Sequence, residues 1–427
     1  MSEDLFRLTA AEARRRMKEG TLTATALTEA CLGRIDQRED RIGAWVEVGR
    51  DQALSQAQAA DRNGLAGPLA GVTVGVKDVI DALPFHTRFG SSIFRDNVAS
   101  ADAVCVAMLR KAGAVIIGKT ETTEFAAFKP SRTRNPVNPE HTPGGSSAGS
   151  AAAVADCHVQ IALGTQTAAS TSRPAAFCGT FAYKPTVNAV STEGILHTSD
   201  TLDTLGIFAR GVADLALVYE AYFGRPPETA NGPVRVGLWE GPGKEAWDPR
   251  VRAFLAKVGD VLQGKGLLAG VIELGPRFEE GIEHQKAIYA WELARQLGPK
   301  VAGHDDAISA SLRGFLDEGM ALAEADYRAA LSGRAALQQA FPGVLGDVDA
   351  LVVAGAPIPA PHGFSTTGDP TCGRLWTVLG VPTIGIPAGR TAEGLPLGIQ
   401  VVGRAGQDAA LFPVAEQVAR AVGSIQL

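Results

Sequence analysis

The sequence is poor in cysteine, and its few cysteines are far apart. Five occur among 427 residues, and no two of them form a Cys-x-x-Cys pair. Such a set indicates neither a disulfide framework nor a cysteine zinc site. We therefore expect reduced thiols, a cytoplasmic location and no metal ion. The five are Cys31, Cys105, Cys157, Cys178 and Cys372.

The sequence also lacks a long apolar run. The longest stretch of small apolar residues, 148–162, is interrupted by Asp156 and His158, and it is too short and too polar to span a bilayer. The first residues, MSEDLFRLTA, contain no apolar segment of the length found in signal peptides. We expect a soluble protein without a membrane partner.

An excess of positive charge is missing as well. The formal net charge is −6 and the isoelectric point is about 5.7, whereas proteins that bind nucleic acid usually present a basic surface. No nucleic-acid partner is expected. Hydrophobic residues make up 45% of the chain and charged residues 20%, and this composition favours a globular core over disorder.

The chain alternates between helical and strand-like patterns. Residues 1–65 are mainly helical, and 66–225 alternate buried strand patterns such as VTVGVKDVI with helical segments. Residues 226–345 are largely helical after one candidate strand, VRVGLWE, and 346–427 return to buried strands before a closing helix. Alternation of this kind predicts an α/β sheet. Because we expect the late strands to join the first sheet, we predict a single large α/β domain.

The segment GAVIIGKT, residues 113–120, matches the phosphate-loop pattern G-x-x-x-x-G-K-[ST]. In a phosphate loop the central residues form an open turn whose N–H groups face the phosphates. Here the four central residues are Ala-Val-Ile-Ile, which are typical of a buried strand. We therefore interpret Gly113 as the end of a helix and the following residues as a core strand, and we expect no nucleotide site.

The segment HTPGGSSAGSAAAVA, residues 141–155, places two glycines and two serines directly before an alanine-rich helix. Free N–H groups at such a helix entry suit an oxyanion, and a serine hydroxyl among them suits acyl transfer. A flexible linker is the competing interpretation, although linkers have polar surroundings. A second turn, in 162–179, also combines small residues with hydroxyl groups. Its Ser170 follows Ala168 and Ala169 and is a candidate nucleophile.

Lys77 is the candidate base. It lies within the apolar segment VTVGVKDVI, where burial disfavours the charged amine and lowers its pKa. A neutral lysine can act as a general base. The competing interpretation is a lysine at a strand end that reaches solvent. None of the seven histidines lies in a Gly-x-Ser-x-Gly segment, but a Ser-His-Asp triad assembled only in space stays open.

Together these segments resemble the amidase signature family. The resemblance rests on Lys77 in its V-K-D setting, on GGSSAGS at 144–150, and on GTQTAASTSRPAAFCGTFAYKP at 164–185. The three segments occur in the order and at the spacing of the family. The resemblance covers most of the chain and is weakest at about 225–345. It implies the amidase signature fold, in which helices cover both faces of a central mixed β-sheet.

The resemblance also implies a Ser-Ser-Lys triad. Ser170 would be the nucleophile, Ser146 would follow a cis peptide bond and relay the proton, and Lys77 would be the base. The oxyanion would be held by backbone N–H groups of the turn from Thr167 to Ser170. An acyl-enzyme would form and water would hydrolyse it, without a metal or an organic cofactor. Supporting hydrogen bonds are expected from Ser147, Ser150 and Thr165.

Within the family, GTQT and an arginine three residues after the nucleophile are most similar to malonamidase-type enzymes. The matching arginine binds the substrate carboxylate there, so Arg173 is predicted to bind a carboxylate. A structural ion pair is the competing interpretation. Many members have Gly-Gly where this chain has Ala168 and Ala169, and alanine would strain the turn if either position required a positive φ.

The resulting hypothesis is an amidase that hydrolyses the C–N bond of a small amide, such as malonamate, that carries a carboxylate. The main alternative is the ammonia-producing subunit of a tRNA-dependent amidotransferase, which would need glutamine and a partner subunit. A second alternative is a weakly active or inactive binding protein of the same fold, motivated by Ala168 and Ala169. The expected partners are a small-molecule amide and a second copy of the chain, as a homodimer.

Overall fold

The structure is a computed structural model that describes residues 4–127, 129–230, 232–423 and 425–426. Within these residues thirteen α-helices surround one twelve-stranded β-sheet. The helices are α1 (Ala10–Lys18), α2 (Ala24–Ile42), α3 (Arg50–Arg62), α4 (Val104–Lys111), α5 (Ala148–Ala155), α6 (Ser172–Cys178), α7 (Val212–Phe223), α8 (Pro249–Gly264), α9 (Pro276–Val301), α10 (Ala310–Ala321), α11 (Glu324–Leu345), α12 (Thr371–Leu379) and α13 (Asp408–Val422).

The strands form a single mixed sheet, as the resemblance predicts. They are β1 (Trp45–Val48), β2 (Thr73–Lys77), β3 (Val115–Thr120), β4 (Ile161–Gln166), β5 (Phe181–Lys184), β6 (Thr204–Ala209), β7 (Val236–Leu238), β8 (Leu268–Val271), β9 (Ala350–Ala354), β10 (Thr383–Arg390), β11 (Pro396–Val402) and β12 (Ile425–Gln426). Their order in space is β1-β3-β2-β4-β6-β5-β10-β11-β9-β7-β8, and β12 pairs with β10. The trios β3-β2-β4 and β9-β7-β8 are parallel, whereas the other neighbours in this order are antiparallel.

Two hydrophobic cores lie on opposite faces of this sheet. On β3, Ile116 belongs to the larger core, whereas Val115 and Ile117 belong to the smaller one. Successive side chains of a strand point to opposite faces, so the two cores are separated by the sheet. Helices α1, α2, α3 and α5 pack on the smaller core, and α7, α8, α9 and α13 pack on the larger one. The prediction of helices on both faces is therefore correct.

Two short strands lie where the sequence pattern predicts mainly helix. β1 separates α2 from α3 at one edge of the sheet, and β8 forms the opposite edge inside 226–345. Each has only four residues, of which at most one is buried, and a run this short does not distinguish a strand from a helix by its pattern. β7, by contrast, lies in the candidate strand VRVGLWE, and all its residues are buried.

The segment GAVIIGKT forms a helix end and a core strand, as interpreted from its apolar centre. Gly113 follows α4 with a φ of +90°, and every residue of β3 is buried. The Lys119 amine donates to the Ile80 carbonyl at 2.6 Å and to Thr87 Oγ1 at 2.8 Å. The Lys119 amine therefore makes its hydrogen bonds to groups inside the protein.

Among the residues that the structure describes, no helix is both long and apolar enough to cross a membrane.

Candidate active site

Lys77 is the last residue of β2 and is completely buried. β2 lies between β3 and β4 and is parallel to both, so the carboxyl ends of these strands meet at one edge of the sheet. The Lys77 amine donates to Ser146 Oγ at 2.7 Å and to Thr165 Oγ1 of β4 at 2.7 Å. The competing interpretation, a lysine that reaches solvent, is wrong because hydroxyl groups of the protein surround the amine.

The Lys77 amine lies in an environment that disfavours its charge. Burial lowers the pKa of Lys77 to about 7, and the carboxyl of Asp203 opposes this shift from a distance. No carboxylate of the described residues forms a salt bridge with this amine. A large share of the amine is therefore uncharged near neutral pH, as a general base requires.

Ser146 lies between this lysine and the start of α5. It is 2% exposed, and the peptide bond that precedes it is cis, as the resemblance implies. The serines that follow fix the segment against β4. Ser147 Oγ contacts both the N–H and the carbonyl of Thr165 at 3.2 Å, and Ser150 Oγ donates to the Leu163 carbonyl at 2.8 Å. These are supporting hydrogen bonds of the predicted kind.

Ser170 lies in the turn between β4 and α6, at the wall of a cavity of about 440 Å³. Its side chain is half-buried. Within the described part of the chain its hydroxyl makes no hydrogen bond, either to Ser146 or to any other group. The structure thus joins Lys77 directly to Ser146 and leaves Ser170 Oγ facing the cavity, where a ligand can reach it.

The turn that carries Ser170 has free N–H groups and anchored carbonyl groups. Gln285 of α9 donates from Nε2 to the Thr167 carbonyl at 2.8 Å, and Thr377 of α12 donates to the Ala168 carbonyl at 2.8 Å. The N–H groups of 168–170 donate to no acceptor among the described residues. Donors arranged in this way at a cavity wall suit a developing oxyanion.

Gln166, the last residue of β4, holds the far side of the same turn. Its Oε1 accepts from the N–H groups of Thr171 at 3.0 Å and Ser172 at 3.1 Å, and its Nε2 donates to Thr377 Oγ1 at 3.0 Å. An amide side chain can accept and donate at once, which an ionised carboxylate cannot do. The glutamine of the GTQT segment therefore fixes the start of α6 relative to α12.

Neither Ala168 nor Ala169 has a positive φ. The turn therefore imposes no left-handed conformation on an alanine, and the strain considered from the sequence does not occur. The reason for expecting an impaired turn at these two positions is removed.

Asp203, directly before β6, is a site residue that the sequence patterns did not predict. Its carboxylate accepts from Thr167 Oγ1 at 2.5 Å and from the N–H groups of Thr198 at 2.7 Å and Ser199 at 2.9 Å. Burial raises the pKa of Asp203, and these hydrogen bonds oppose the rise. Because Asp203 also raises the pKa of Lys77, it links the turn that carries Ser170 to the electrostatics of Lys77.

Arg173 of α6 is 6% exposed, and oxygen atoms of the protein occupy much of its guanidinium. Nη1 donates to the Gly368 carbonyl at 2.6 Å, and Nη2 donates to the Gly145 carbonyl at 2.6 Å and to Thr367 Oγ1 at 3.0 Å. Burial, and then the nearby charge of Arg374, lower the pKa of Arg173 to about 9. No salt bridge involves Arg173 within the described residues, so the structural ion pair considered from the sequence is not formed.

The cavity beside Ser170 is lined by cations and hydroxyl groups. Lys129, Arg173 and Arg374 contribute to its wall, and no aspartate, glutamate or histidine is among the described residues that line it. A Ser-His-Asp arrangement around Ser170 is therefore not present in the described part of the chain. In that part there is also no group of three or more His, Cys, Asp or Glu side chains placed to hold a metal ion.

Four polar residues that shape the site escaped prediction from the sequence. Each is a single polar side chain that reaches the cavity or the turn of Ser170 only through tertiary packing. Gln285 and Thr377 are buried within helical patterns, where a lone polar residue has no distinctive spacing. The four are Asp203, Gln285, Arg374 and Thr377.

A serine facing a cavity, a cluster of free N–H groups beside it and a buried amine with a pKa near neutrality are features of a hydrolase that uses a serine. The chain belongs to the amidase family, because the family model described as Amidase matches residues 26–412. The resemblance to the amidase signature family is thereby confirmed. The protein is an enzyme that hydrolyses amides.

Individual members of this family resemble the chain over nearly the whole length of both proteins. A glutamyl-tRNA(Gln) amidotransferase subunit of Koribacter versatilis is 33% identical over 484 aligned residues, which cover 99% of this chain and 100% of that protein. A solved structure described as a crystal structure of amidase has a TM-score of 0.89 at 29% identity, covering 97% of this chain and 100% of that chain. Native peptide amidase from Stenotrophomonas maltophilia has a TM-score of 0.82 at 28% identity, covering 98% and 97%.

The comparisons do not support the narrower malonamidase-type assignment. Relatives described as glutamyl-tRNA(Gln) amidotransferase subunits, from several organisms, are 30–33% identical to this chain. The features that suggested a malonamidase, the GTQT segment and Arg173, are used here for contacts within the protein. They do not by themselves identify a subfamily.

Proposed function

We propose that this chain hydrolyses the C–N bond of a small amide that carries a carboxylate, such as malonamate, with Ser170, Ser146 and Lys77 as its catalytic triad. The observation that carries the proposal is the 2.7 Å hydrogen bond between the buried Lys77 amine and Ser146 Oγ. An amine with a pKa of about 7 can take a proton at neutral pH, and the adjacent hydroxyl can pass one on. No cofactor is needed for this chemistry.

In the first half of the proposed reaction, Ser170 Oγ attacks the carbonyl carbon of the amide. Its proton passes to Ser146 Oγ while the proton of Ser146 passes to the Lys77 amine. The carbonyl oxygen becomes an oxyanion and accepts hydrogen bonds from the N–H groups of 168–170. When the C–N bond breaks, the proton returns from Lys77 through Ser146 to the leaving nitrogen, and ammonia or an amine departs.

In the second half, water attacks the ester that joins the acyl group to Ser170. Ser146 and Lys77 take a proton from the water and return it to Ser170 Oγ, and the carboxylic acid is released.

The cationic wall of the cavity supports a substrate with a carboxylate, because an anion there is attracted by the side chains of Lys129, Arg173 and Arg374.

Replacement of the nucleophile tests this function directly. Ammonia release from malonamate and from a panel of simple amides is measured for the native chain, for Ser170→Ala and for Lys77→Ala. Each variant should lose activity by about 1,000-fold or more, as triad members do in other serine hydrolases. Circular dichroism shows whether the variants are folded. A folded Ser170→Ala variant with full activity would remove Ser170 from the mechanism.

We infer a second candidate function from the relatives: the chain supplies ammonia from glutamine as one subunit of a tRNA-dependent amidotransferase. The similarity to an amidotransferase subunit over 99% of the chain supports this candidate better than it supports a malonamidase. The purified chain is assayed with glutamine and with malonamate, alone and with the partner subunits of such an amidotransferase. Glutamine hydrolysis that requires the partners favours the amidotransferase, whereas malonamate hydrolysis by the chain alone favours the free amidase.

A third candidate is an inert binding protein of the same fold. It was suggested by strain expected at Ala168 and Ala169, and neither residue has the positive φ angle that would cause this strain. Labelling with a serine-directed fluorophosphonate tests it. An adduct in the peptide 164–179 indicates a reactive Ser170, and its absence favours the inert protein.

We also propose a cytoplasmic location, because all five cysteines are free thiols.

A further inference from the structure

Arg374 of α12 lies at the wall of the cavity that Ser170 faces. Its Nη1 donates to Gln285 Oε1, and none of the described carboxylates forms a salt bridge with it. A guanidinium carries five N–H donors, so most donors of Arg374 are left for a ligand. Burial lowers the pKa of Arg374, and Asp369 and Glu283 oppose this only from a distance. A bound anion would relieve the unfavourable burial of this charge.

Arg173 is less suited to receive a ligand than Arg374. Both of its terminal nitrogens already donate to protein oxygens, among them the carbonyls of Gly145 and Gly368. These bonds hold the residue before Ser146 and the loop beside the cavity. The geometry therefore gives Arg173 a role in positioning Ser146, and it leaves Arg374 as the guanidinium that faces the cavity with unused donors.

Arg374 is also connected to the turn that holds the oxyanion donors. Gln285 is completely buried, accepts from Arg374 through Oε1 and donates through Nε2 to the Thr167 carbonyl at 2.8 Å. An anion that binds Arg374 fixes this guanidinium, and a fixed guanidinium in turn fixes Gln285 and the turn. Gln285 is thus a positioning residue that links substrate binding to the N–H groups beside Ser170.

The cavity wall distinguishes between two kinds of anionic amide. Lys129, Arg173 and Arg374 line it, and the described lining residues include no acid. The neighbouring Asp369 is exposed and does not belong to that wall. An amino acid amide such as glutamine brings an α-ammonium group, which would lie among three cations and be repelled. A monoamide of a dicarboxylic acid brings only the carboxylate.

We propose that Arg374 binds the carboxylate of the substrate and that the cavity selects monoamides of dicarboxylic acids over amino acid amides. This inference rests on the amide hydrolysis proposed above and names its substrate class. It also separates the free amidase from the glutamine-dependent subunit, because glutamine differs from glutaramate, the monoamide of glutaric acid, only by the α-amino group.

Three amides of similar chain length provide the test. Glutaramate carries the carboxylate, glutamine carries the carboxylate and the α-ammonium, and butyramide carries neither. We expect kcat/KM for glutaramate to exceed that for each of the other two by about 10- to 100-fold, the range of one hydrogen-bonded charge. Equal values for glutamine and glutaramate, or for butyramide and glutaramate, would overturn the proposal.

Variants of Arg374 show whether this side chain causes the preference for glutaramate. Arg374→Gln should reduce the preference for glutaramate over butyramide to near equality, mainly through a higher KM, and Arg374→Lys should restore part of it. Gln285→Leu should instead lower kcat for both amides alike. Arg328→Gln, which removes a surface guanidinium that is 75% exposed on α11, is the control for total charge. An unchanged substrate preference in Arg374→Gln would contradict the assignment.

Binding of the amides can be measured even if none of them is hydrolysed. Calorimetry of glutaramate and glutamine with Ser170→Ala measures recognition without turnover. Tighter binding of glutaramate, lost when Arg374→Gln is added, supports the proposal even where the proposed hydrolysis fails. Equal binding of the two amides, or binding that survives Arg374→Gln, overturns it even where hydrolysis is observed.

Discussion

Gly373 lies directly against Ala169. A Cβ atom on Gly373 would be 2.6 Å from the Cβ atom of Ala169 and 2.8 Å from the Ala168 carbonyl oxygen. Helix α12 therefore approaches the turn so closely that only glycine fits at this position. Arg374 and Thr377 reach the turn and the cavity from the same helix, and their contacts depend on this approach.

Gly373→Ala should destabilise the protein by about 1–3 kcal/mol, because the added methyl group must displace either α12 or the turn. It should also lower kcat, since the proposed oxyanion donors lie on that turn. Urea unfolding and ammonia release measure the two effects. Gly314→Ala is a matched control in helix α10, where no described atom lies within 4 Å of the new Cβ. Equal stability and activity of the two variants would disagree with the close approach.

The rate should depend on pH through Lys77. Burial lowers the pKa of Lys77 to about 7, and only the neutral amine can accept the proton of Ser146. We therefore expect kcat/KM to rise with pH and to level off above about pH 7 to 8. Initial rates from about pH 5 to about pH 9, with an uncharged amide, measure this limb. A flat profile would exclude Lys77 as the base.

Asp203→Asn should shift that rising limb to lower pH. The Asp203 carboxyl raises the pKa of Lys77, so its neutral replacement lets burial lower that pKa further. The variant should also lose rate, because the link to Thr167 is weakened. Asp200→Asn removes a neighbouring carboxylate whose side chain is 64% exposed and should leave the profile unchanged. If kcat/KM of Asp203→Asn rose over the same pH range as that of the native chain, the charge of Asp203 would have no effect on the pKa of Lys77.

The stability of the native chain relative to Lys77→Met should increase with pH. The pKa of Lys77 is about 7 in the folded protein and has an ordinary value of 10.5, so between these values the unfolded chain binds the extra proton. The cost of the buried charge is full below pH 7 and disappears toward pH 10.5, at a rate of up to about 1.4 kcal/mol per pH unit. Urea unfolding of both chains at several pH values measures the gap, and a constant gap would count against the lowered pKa.

The sequence predicted the parts of the site that lie in continuous segments. The apolar run around Lys77, the glycine-serine segment around Ser146 and the turn around Ser170 each combine a recognisable pattern with a chemical requirement. The supporting residues could not be found in this way. Gln285 and Thr377 are single polar residues in helices distant in sequence, and only the packing of α9 and α12 brings them to the turn.

Similar reasons explain what the sequence missed in the fold. The central strands β2, β3 and β4 are buried on both faces and therefore appear as apolar runs. The edge strands β1 and β8 have only four residues each, and the pattern of so short a run does not separate a strand from a helix. The contacts of Arg173 could not be foreseen either, because two of its three partners are backbone carbonyls, which leave no trace in the sequence.

The proposed proton-transfer residues and the proposed substrate-binding residues come from different parts of the chain. The proposed proton-transfer groups lie between positions 77 and 170, whereas Gln285 and Arg374 belong to α9 and α12. Substitutions of Arg374 would therefore change the acyl group that is accepted while the proposed proton relay stays intact. Libraries aimed at new amides should vary Arg374 and the loop before α12 and should keep Gln285, Gly373 and Thr377, because these three residues contact the turn that carries Ser170.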